Sequence, residues 1–319
     1  MSVAQTEYLS RRVGFVILCV SIVFISVWLD TRGKAALQSR AQSIPALASF
    51  DNLTFDDLKR FRTDVGYLPD EPLLGFVEIP AGEFTMGSNP QVDRFAFENE
   101  RWSQSSFQGQ VRLPTFYIGH YEVTIAQFRA FVVADGHKAA SDVLAGAPTN
   151  PVTNVSWTDA LAYSRWLNEM LTQSPATPSS LRALLDKGWR VTLPTEAQWE
   201  KAARGTDGRI YPWGNAPNRE RANVGSGDVV AVGRFRCRDC VYGLADMIGN
   251  VWELTSSPNR PYPFDEKIPA DTQSDALFVM RGGSYSDADT LARAAVRGGI
   301  DPGARSPLVG FRIALTPPN

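Results

Sequence analysis

The segment MRGGSYSDADTLARAAVRGG (Met280–Gly299) decides how this sequence is interpreted. Its first part, RGGSY, has the form of a glycine turn that leads into an active site, because paired glycines let a backbone fold back closely on itself. The residues after Tyr285 include no cysteine and no histidine. The segment therefore has the outline of a catalytic site without a soft metal ligand or an evident nucleophile.

The composition is that of a folded chain with few options for metal chemistry. The 319 residues are 44% apolar, which is ample for a hydrophobic core. The formal net charge of -2 argues against a broad nucleic-acid-binding surface. The two histidines, His120 and His137, have no recognisable metal-ligand spacing. A histidine-based iron or zinc site is therefore not expected.

The N-terminus predicts a membrane anchor. Residues 13–29 are uncharged and mostly apolar. A segment of seventeen residues is at the lower limit of length for a bilayer-spanning helix. A secretory signal peptide is the alternative, but its apolar region would be shorter and no small-residue cleavage site follows closely. Basic residues lie on both sides of the span. The shortness of the tail, residues 1–12, indicates that the tail stays in the cytoplasm. The main domain is then on the periplasmic or extracytoplasmic side of a bacterial inner membrane.

The rest of the chain reads as a stalk, residues 30–72, followed by a folded domain, residues 73–319. Within the stalk, Thr54 could cap one short amphipathic helix. Within the domain, three helix starts carry a serine or threonine three residues before a side chain able to complete a capping box. These caps are Thr124, Ser156 and Thr195.

The other segments of the domain predict short strands between long irregular stretches. The sequences GFVEIPAGEFTMGS, FYIGHYEVT, GWRVTL and FVMRGGSY have the composition of brief strands. Residues 88–110 and 206–240 are rich in glycine, proline, asparagine and arginine and show no clean periodicity. The fold class is therefore α+β with little regular secondary structure.

Three cysteines occur, and two of them form a C-x-x-C pair. Cys19 lies inside the predicted span and is expected to be an apolar filler. In an exported domain, Cys237 and Cys240 favour a local disulfide. A redox pair is the alternative but lacks the surrounding βαβ pattern, and a metal site would need two more ligands.

The motifs together resemble one family. In order along the chain, they are IPAGEFTMGS, FYIGHYEVTIAQFRAFV, PVTNVSWTDALAYSRWLN, WRVTLPTEAQWEKAARG, YPWGN, YGLADMIGNVWELTSS, RGGSYSD and GFRIAL. Their order from about Leu73 to Leu315 resembles that of the formylglycine-generating enzyme family, whose domain is also called the sulfatase-modifying factor domain. The resemblance implies a C-type-lectin-like α+β fold with low secondary-structure content.

The resemblance also locates a catalytic site, and the chain departs from the family there. Active members oxidise a substrate cysteine with oxygen and a copper ion held by two cysteines, two and seven positions after the aromatic residue of the GGS-aromatic motif. Here these positions are Asp287 and Ala292. Neither supplies a thiolate, which copper(I) requires, so copper is not expected. Trp252, Ser284, Tyr285 and Asp287 would remain as lining residues of a pocket. Alternatively, Ser284 caps a turn and Trp252 is a core residue.

A second site that the resemblance implies is a calcium loop in ADMIGNVWE. The matching positions are Asp246, Gly249, Val251 and Glu253, and carboxylates with backbone oxygens suit Ca²⁺. The bound ion would be structural. The alternative is a solvated turn in which Asn250 adopts a left-handed conformation.

Two arginines near these motifs are expected to have structural roles. We expect Arg281 and Arg312 to form ion pairs with carboxylates that hold loops in place, rather than to bind a free anion. The GGSY sequence lacks the lysine and the following helix of a phosphate-binding loop.

Three functions remain open from the sequence. The first is a membrane-anchored accessory, assembly or maturation factor that binds a protein or peptide partner and is not an oxidase. The second is an active protein-modifying oxidase of the same superfamily with an unconventional site. The third is a purely structural subunit of a membrane complex.

Overall fold

Two four-stranded sheets, each completed by strands that are distant in sequence, form the framework of the domain. The computed structural model describes residues 58–235, 237, 239–263 and 277–318. The strands are β1 (Phe61–Arg62), β2 (Leu68–Pro69), β3 (Phe76–Ile79), β4 (Gly82–Met86), β5 (Gly109–Leu113), β6 (Phe116–Gly119), β7 (Arg190–Thr192), β8 (Trp252–Pro258), β9 (Phe278–Arg281), β10 (Arg297–Ile300), β11 (Val309–Phe311) and β12 (Ala314–Thr316). The α-helices are α1 (Ile125–Asp135), α2 (Trp157–Gln173), α3 (Ser179–Asp186) and α4 (Glu196–Arg204). The 3-10 helices are Thr63–Val65, Pro72–Gly75, Glu98–Glu100, Ser141–Leu144 and Arg219–Arg221.

The sheets bring the two ends of the domain together. One sheet has the order β3-β6-β12-β7, and all of its neighbouring strands are antiparallel. The other has the order β10-β9-β8-β11, in which β8 and β11 are parallel and the other pairs are antiparallel. The pairs β1-β2 and β4-β5 form two separate antiparallel ribbons. The last two strands of the chain therefore belong to the two main sheets.

The three predicted helix starts are confirmed. Thr124, Ser156 and Thr195 each accept a hydrogen bond from the backbone N–H three residues on, and the side chain at that third position bonds back to the cap. This reciprocal arrangement satisfies two backbone donors that a helix start would otherwise leave unpaired. Gly136 and Gly205 follow α1 and α4, as their sequence predicts.

The core consists of two large apolar clusters and a smaller third one. The largest lies around α1 and α2 and includes Phe128, Phe131 and Tyr163, which are fully buried. The second packs Phe84 and Trp199 against strands of the first sheet and the β4-β5 ribbon. Burial of such aromatic side chains supplies much of the stabilisation that a domain with short elements needs.

The structure adds elements that the sequence patterns did not indicate. The predicted strands β3, β4, β6, β7 and β9 are present. Helix α3 and the strands β1, β2, β5, β8, β10, β11 and β12 were not foreseen. Strand β5 begins at the end of the stretch 88–110 that was expected to be irregular. Each of these strands has at most seven residues. A run of that length rarely shows a periodicity that separates it from a loop.

The domain begins earlier than the boundary expected at residue 72. Val65 and Leu68 are buried members of the largest apolar cluster, although both belong to the segment interpreted as a stalk. The chain divides by its internal contacts into residues 1–54 and 55–319, and the first unit lies outside the described residues. The predicted anchor, residues 13–29, and the cap at Thr54 also lie outside them. Among the residues that are described, no helix has the length and apolar character needed to cross a membrane.

Candidate functional site

The loop between β9 and β10 folds back on itself through Gly282 and Gly283. Both glycines adopt positive φ angles, +94° and +78°, which L-residues rarely adopt. A side chain at Gly283 would place its Cβ only 2.8 Å from the Cβ of Ala292. The glycine pair therefore allows the first part of this loop to lie against its end, and it places Ser284 and Asp287 beside each other.

The Asp287 carboxylate connects three of the four predicted pocket residues. Its Oδ2 accepts hydrogen bonds from the Ser284 backbone N–H at 2.8 Å, from the Ser284 hydroxyl at 2.8 Å and from Trp252 Nε1 at 2.9 Å. Ser284 is fully buried, whereas Trp252 and Asp287 are half-buried. This arrangement satisfies the donors of Ser284 and Trp252 within the protein. The fourth residue, Tyr285, is half-buried, and its backbone N–H donates to the Asn250 carbonyl at 2.9 Å.

Ala292 lies in an apolar environment. It is fully buried and belongs to a small cluster with Ala222, Val224 and Ile248, against which Trp213 packs. The two positions to which the resemblance assigns copper cysteines therefore have different surroundings. Asp287 lies in a polar hydrogen-bond network, and the methyl group of Ala292 is surrounded by hydrocarbon.

Cys237 and Cys240 form a disulfide, and both residues are almost completely buried. Asp239, between them, pairs with Arg221. Because only a thiolate is an effective ligand for a soft metal, the two sulfurs in this oxidised form do not provide one.

The predicted calcium loop contains a carboxylate that already has partners. Glu253 is buried and accepts two hydrogen bonds from Arg312, Nε at 2.6 Å and Nη2 at 2.5 Å. Trp199 Nε1 donates a further bond to Glu253 at 2.6 Å. This bidentate ion pair confirms that Arg312 ties a loop to a carboxylate. Arg281 does the same through buried ion pairs with Glu196 and Glu200.

Asp246 differs from Glu253 because one of its oxygens has no partner. Its Oδ2 accepts from the Gly233 N–H at 2.5 Å, whereas its buried Oδ1 has no hydrogen-bond partner. Burial, together with the nearby charge of Glu253, raises the pKa of Asp246 to about 6, against the effects of the Gly233 hydrogen bond and of Arg312. An unpaired buried carboxylate oxygen is costly unless a proton, a water molecule or a cation accompanies it.

Glu122 has the same property and was missed in the sequence. Its Oε2 accepts from Asn250 Nδ2 at 2.7 Å, but its buried Oε1 has no partner. Burial and the charges of Asp246 and Glu253 raise the pKa of Glu122 well above its ordinary value. One signal of a buried glutamate was available in the sequence: Glu122 is flanked by apolar residues and stands two positions before the capping residue Thr124.

Asn250 has the left-handed backbone, φ +60°, that was foreseen for a solvated turn. The turn is not solvated, however, because Asn250 is fully buried. Its side-chain oxygen accepts from the Val230 N–H at 3.0 Å and from Asn223 Nδ2 at 2.9 Å. Within the described ranges, no three histidine, cysteine, aspartate or glutamate side chains are arranged to hold a metal ion. A cation at Asp246 would therefore also need backbone oxygens, such as those of Gly249 and Val251.

The mixed sheets, the short helices and the long loops around Asp287 define an α+β domain of the formylglycine-generating-enzyme fold. The chain belongs to the family of sulfatase-modifying factor enzyme 1-like domains, which matches residues 62–317.

Its relatives include both an enzyme and a protein named as inactive. A formylglycine-generating enzyme of Streptomyces coelicolor is 29% identical over 306 residues, covering 75% of this chain and 88% of that protein. The inactive C-alpha-formylglycine-generating enzyme 2 of Bos taurus is 35% identical over 183 residues, covering 51% of this chain and 50% of that protein. The structure of PvdO from Pseudomonas aeruginosa has a TM-score of 0.60 at 22% identity, covering 75% of this chain and 93% of that chain. Family membership therefore establishes the fold but does not decide whether this chain is an enzyme.

Proposed function

We propose that this chain is a membrane-anchored, non-oxidising member of the family that binds a protein or peptide partner. It would act as an accessory, assembly or maturation factor on the periplasmic or extracytoplasmic side of a bacterial inner membrane. The anchor is residues 13–29, whose apolar composition and flanking arginines support the assignment.

The observation that carries the proposal is the chemistry at Asp287 and Ala292. The family's reaction needs two thiolates at the matching positions, and these residues provide a carboxylate and a methyl group. The carboxylate is also engaged by Ser284 and Trp252, the two residues that the resemblance places beside the copper cysteines. The residues present therefore do not fit a copper(I) ion. What they retain is a half-buried aromatic surface and a polar loop, which suit recognition of a partner.

The proposal is tested first by metal content and oxygen consumption. We expect the purified full chain, after incubation with copper(I), to retain less than about one tenth of an equivalent and to consume no oxygen with cysteine-containing peptides. The Streptomyces coelicolor relative, treated identically, is the positive control. Stoichiometric copper together with oxygen uptake would instead establish an active oxidase with an unconventional site.

Partner binding is tested by capture from membranes. The full chain, extracted in mild detergent, is cross-linked and the captured proteins are quantified for the wild type and for Trp252→Ala. Trp189→Ala is the matched control, since Trp189 is partly buried and packs edge-on against Tyr117 rather than in the Asp287 loop. We expect Trp252→Ala alone to reduce capture. If Trp252→Ala captured as much partner as Trp189→Ala and the wild type, the Asp287 loop would be ruled out as the partner site.

We also propose that a structural calcium ion binds beside Asp246. The unpaired Oδ1 of Asp246 and the unpaired Oε1 of Glu122 fit a hard cation, because both are buried oxygens without a donor. Glu253 fits less well than the resemblance implies, since Arg312 and Trp199 already occupy its oxygens. Asp246, Glu122 and the carbonyls of Gly249 and Val251 would hold the ion, which would neutralise the excess of buried carboxylates.

Calcium is then expected to stabilise the full chain. At a calcium concentration about a hundredfold above its Kd, linkage gives about 2.7 kcal/mol, which corresponds to about 5–10 °C in Tm for a domain of this size. The measurement is the Tm difference between calcium and a chelator for each variant, so any basal loss of stability cancels. Asp246→Ala should abolish the difference, whereas Asp207→Ala, at an exposed aspartate paired with Arg209, should keep it. The same Tm in calcium and chelator, or a difference that survives Asp246→Ala, would contradict the site.

A further inference from the structure

The outer edge of β10 is open to solvent at Gly299. β10 is the terminal strand in the order β10-β9-β8-β11, so one of its two sides has no neighbouring strand among the described residues. Gly298 and Gly299 form the middle of β10, and Gly299 is exposed. The open side of a terminal strand presents backbone N–H and C=O groups that can pair with another extended chain. This edge is therefore a candidate interaction surface.

The hydrogen bonds around β9 show which backbone groups of β10 face outward. The Val279 carbonyl accepts from the Thr255 hydroxyl of β8 at 2.9 Å, so the backbone groups of Val279 face β8. Gly299 lies opposite Val279 in the β9-β10 register. This is therefore a non-hydrogen-bonded pair, and the N–H and C=O of Gly299 point away from β9. The Arg297 carbonyl faces the same outer side, where the Asn99 side chain donates to it at 3.3 Å.

The two outward groups of Gly299 have no hydrogen-bond partner in the part of the chain that the structure describes. The Asn99 side chain covers the edge at Arg297, so the open part of the edge begins at Gly299. One residue of an incoming antiparallel strand would exchange two hydrogen bonds with Gly299, as a hydrogen-bonded pair does within a sheet. The chemistry of this edge therefore matches an extended polypeptide backbone.

Two other terminal strands of the main sheets are covered, whereas β10 is not covered at Gly299. On β7, the Val191 N–H donates to the Asn168 side chain at 3.0 Å. On β11, the Phe311 carbonyl accepts from the Val123 N–H at 2.8 Å. Proteins commonly protect strand edges with covering segments, bulges or charged side chains. The two central glycines of β10 supply no side chain that could keep a second strand away.

A cleft of about 320 Å³ continues from this edge. It lies between the segments 98–104 and 259–262, and Arg297 of β10 also lines it. Asn259 belongs both to the cleft lining and to the surroundings of Gly299, because a Cβ added to Gly299 would meet Asn259 Nδ2 first. The volume is at the lower end of the range of small-ligand sites, about 300–1,000 Å³. A peptide paired with Gly299 would therefore have room for a side chain in the cleft.

The groups that line the cleft favour an uncharged side chain. Arg297 already makes two hydrogen bonds to Glu196, and Arg101 donates to the carbonyls of Ser103 and Gln104. The side-chain amide of Asn259, in contrast, takes part in no hydrogen bond within the described ranges. An amide both donates and accepts, so it suits a neutral polar group of a ligand rather than an ion.

We propose that β10 pairs at Gly299 with an extended, uncharged segment of a partner polypeptide, one side chain of which enters the cleft beside Asn259. Main-chain hydrogen bonds would supply the affinity and the cleft the selectivity, which is the usual division in strand addition. The inference goes beyond the function proposed above, because neither the membrane anchor nor the hydrogen bonds of Asp287 contribute to it.

The test is fluorescence anisotropy of the full chain in detergent with two labelled, amidated peptides. The probe is Thr-Thr-Val-Gln-Val-Thr-Thr, which is uncharged and has a high preference for the extended conformation. The control peptide has the same sequence with N-methyl groups on the central Gln and the Val before it, which removes a donor from each of its two edges. We expect the control peptide to bind at least about tenfold more weakly.

Two variants at one position test the edge itself. Gly299→Pro removes the outward N–H and no hydrogen bond of the β9-β10 ladder, and proline is tolerated where a strand edge faces solvent. Gly299→Ala is the matched control, because it adds a Cβ against the same flexible Asn259 amide but keeps the N–H. We expect Gly299→Pro to weaken peptide binding at least about tenfold and Gly299→Ala to weaken it less than about threefold. The Tm of each variant checks that the fold is intact.

Hydrogen exchange of the wild type gives a readout that needs no variant. The Gly299 amide should exchange rapidly in the free chain and at least about tenfold more slowly with the peptide bound. Equal affinity for the N-methylated peptide, equal binding by Gly299→Pro and Gly299→Ala, or binding that leaves the Gly299 amide unprotected would overturn the proposal. Self-association of the wild type that Gly299→Pro abolishes would also overturn it, because the occupant of the edge would then be a second copy of this chain.

Discussion

Replacing Arg312 by methionine is expected to lower the free energy of unfolding by about 3–5 kcal/mol. Arg312 is fully buried and also donates to the carbonyls of Gly119 and Ala245, at 2.9 and 3.0 Å. Its removal leaves Glu253 without a cation, in a region that already holds the buried carboxylates of Glu122 and Asp246. The loss is measured by urea unfolding followed by tryptophan fluorescence, with a chelator present in every sample.

Two further variants separate this effect from a general loss of packing. Arg112→Met removes an exposed arginine and should change the unfolding free energy by less than about 0.5 kcal/mol. The double variant Arg312→Met with Glu253→Leu should be more stable than Arg312→Met alone, because it no longer leaves that carboxylate unpaired. A loss below about 1 kcal/mol for Arg312→Met would show that the ion pair is not needed to hold the C-terminal strands.

The second large loss of unfolding free energy is expected on substitution of Glu196, which pairs with two arginines from different strands. It accepts from Arg281 and Arg297, and the Tyr262 hydroxyl donates to it at 2.8 Å. Glu196→Gln keeps the shape but removes the charge, so Arg297 would lose its carboxylate partner and Arg204 and Arg281 would share Glu200. We expect a loss of about 2–4 kcal/mol in urea unfolding.

Glu83→Gln is the control for this substitution. Glu83 is 55% exposed and pairs with an exposed arginine on the β4-β5 ribbon, so the same chemical change should cost less than about 0.5 kcal/mol there. Comparable losses at Glu83 and Glu196 would mean that burial does not set the cost. An unchanged stability of Glu196→Gln would mean that Glu200 neutralises the network without it.

The features that were predictable from the sequence are local ones. A capping box spans only four residues, so Thr124, Ser156 and Thr195 identified their helices without any knowledge of the fold. The absence of a thiolate at Asp287 and Ala292 was equally evident, because it depends only on residue identity at positions that the motif specifies.

The features that were not predictable depend on contacts between distant residues. Arg293 pairs with Glu100, which is 193 positions away in the sequence, and no local pattern predicts such a partner. The hydrogen bonds from Trp252 and Ser284 to Asp287 require the glycine turn to bring them together. Glu122 seemed ordinary in the sequence, since its unpaired oxygen arises only when Asn250 and the neighbouring carboxylates enclose it.

The position of the last two strands has a consequence for biosynthesis. Strand β12 lies inside its sheet, between β6 and β7, and β11 pairs with β8 in the other sheet. A nascent chain that has not yet released residues 309–316 lacks the strand that joins β7 to the rest of its sheet, and it also lacks Arg312. Neither sheet is therefore complete until residues 309–316 have emerged. A chain stopped near residue 308 leaves the edges of β6, β7 and β8 that these strands cover open to chaperones and proteases.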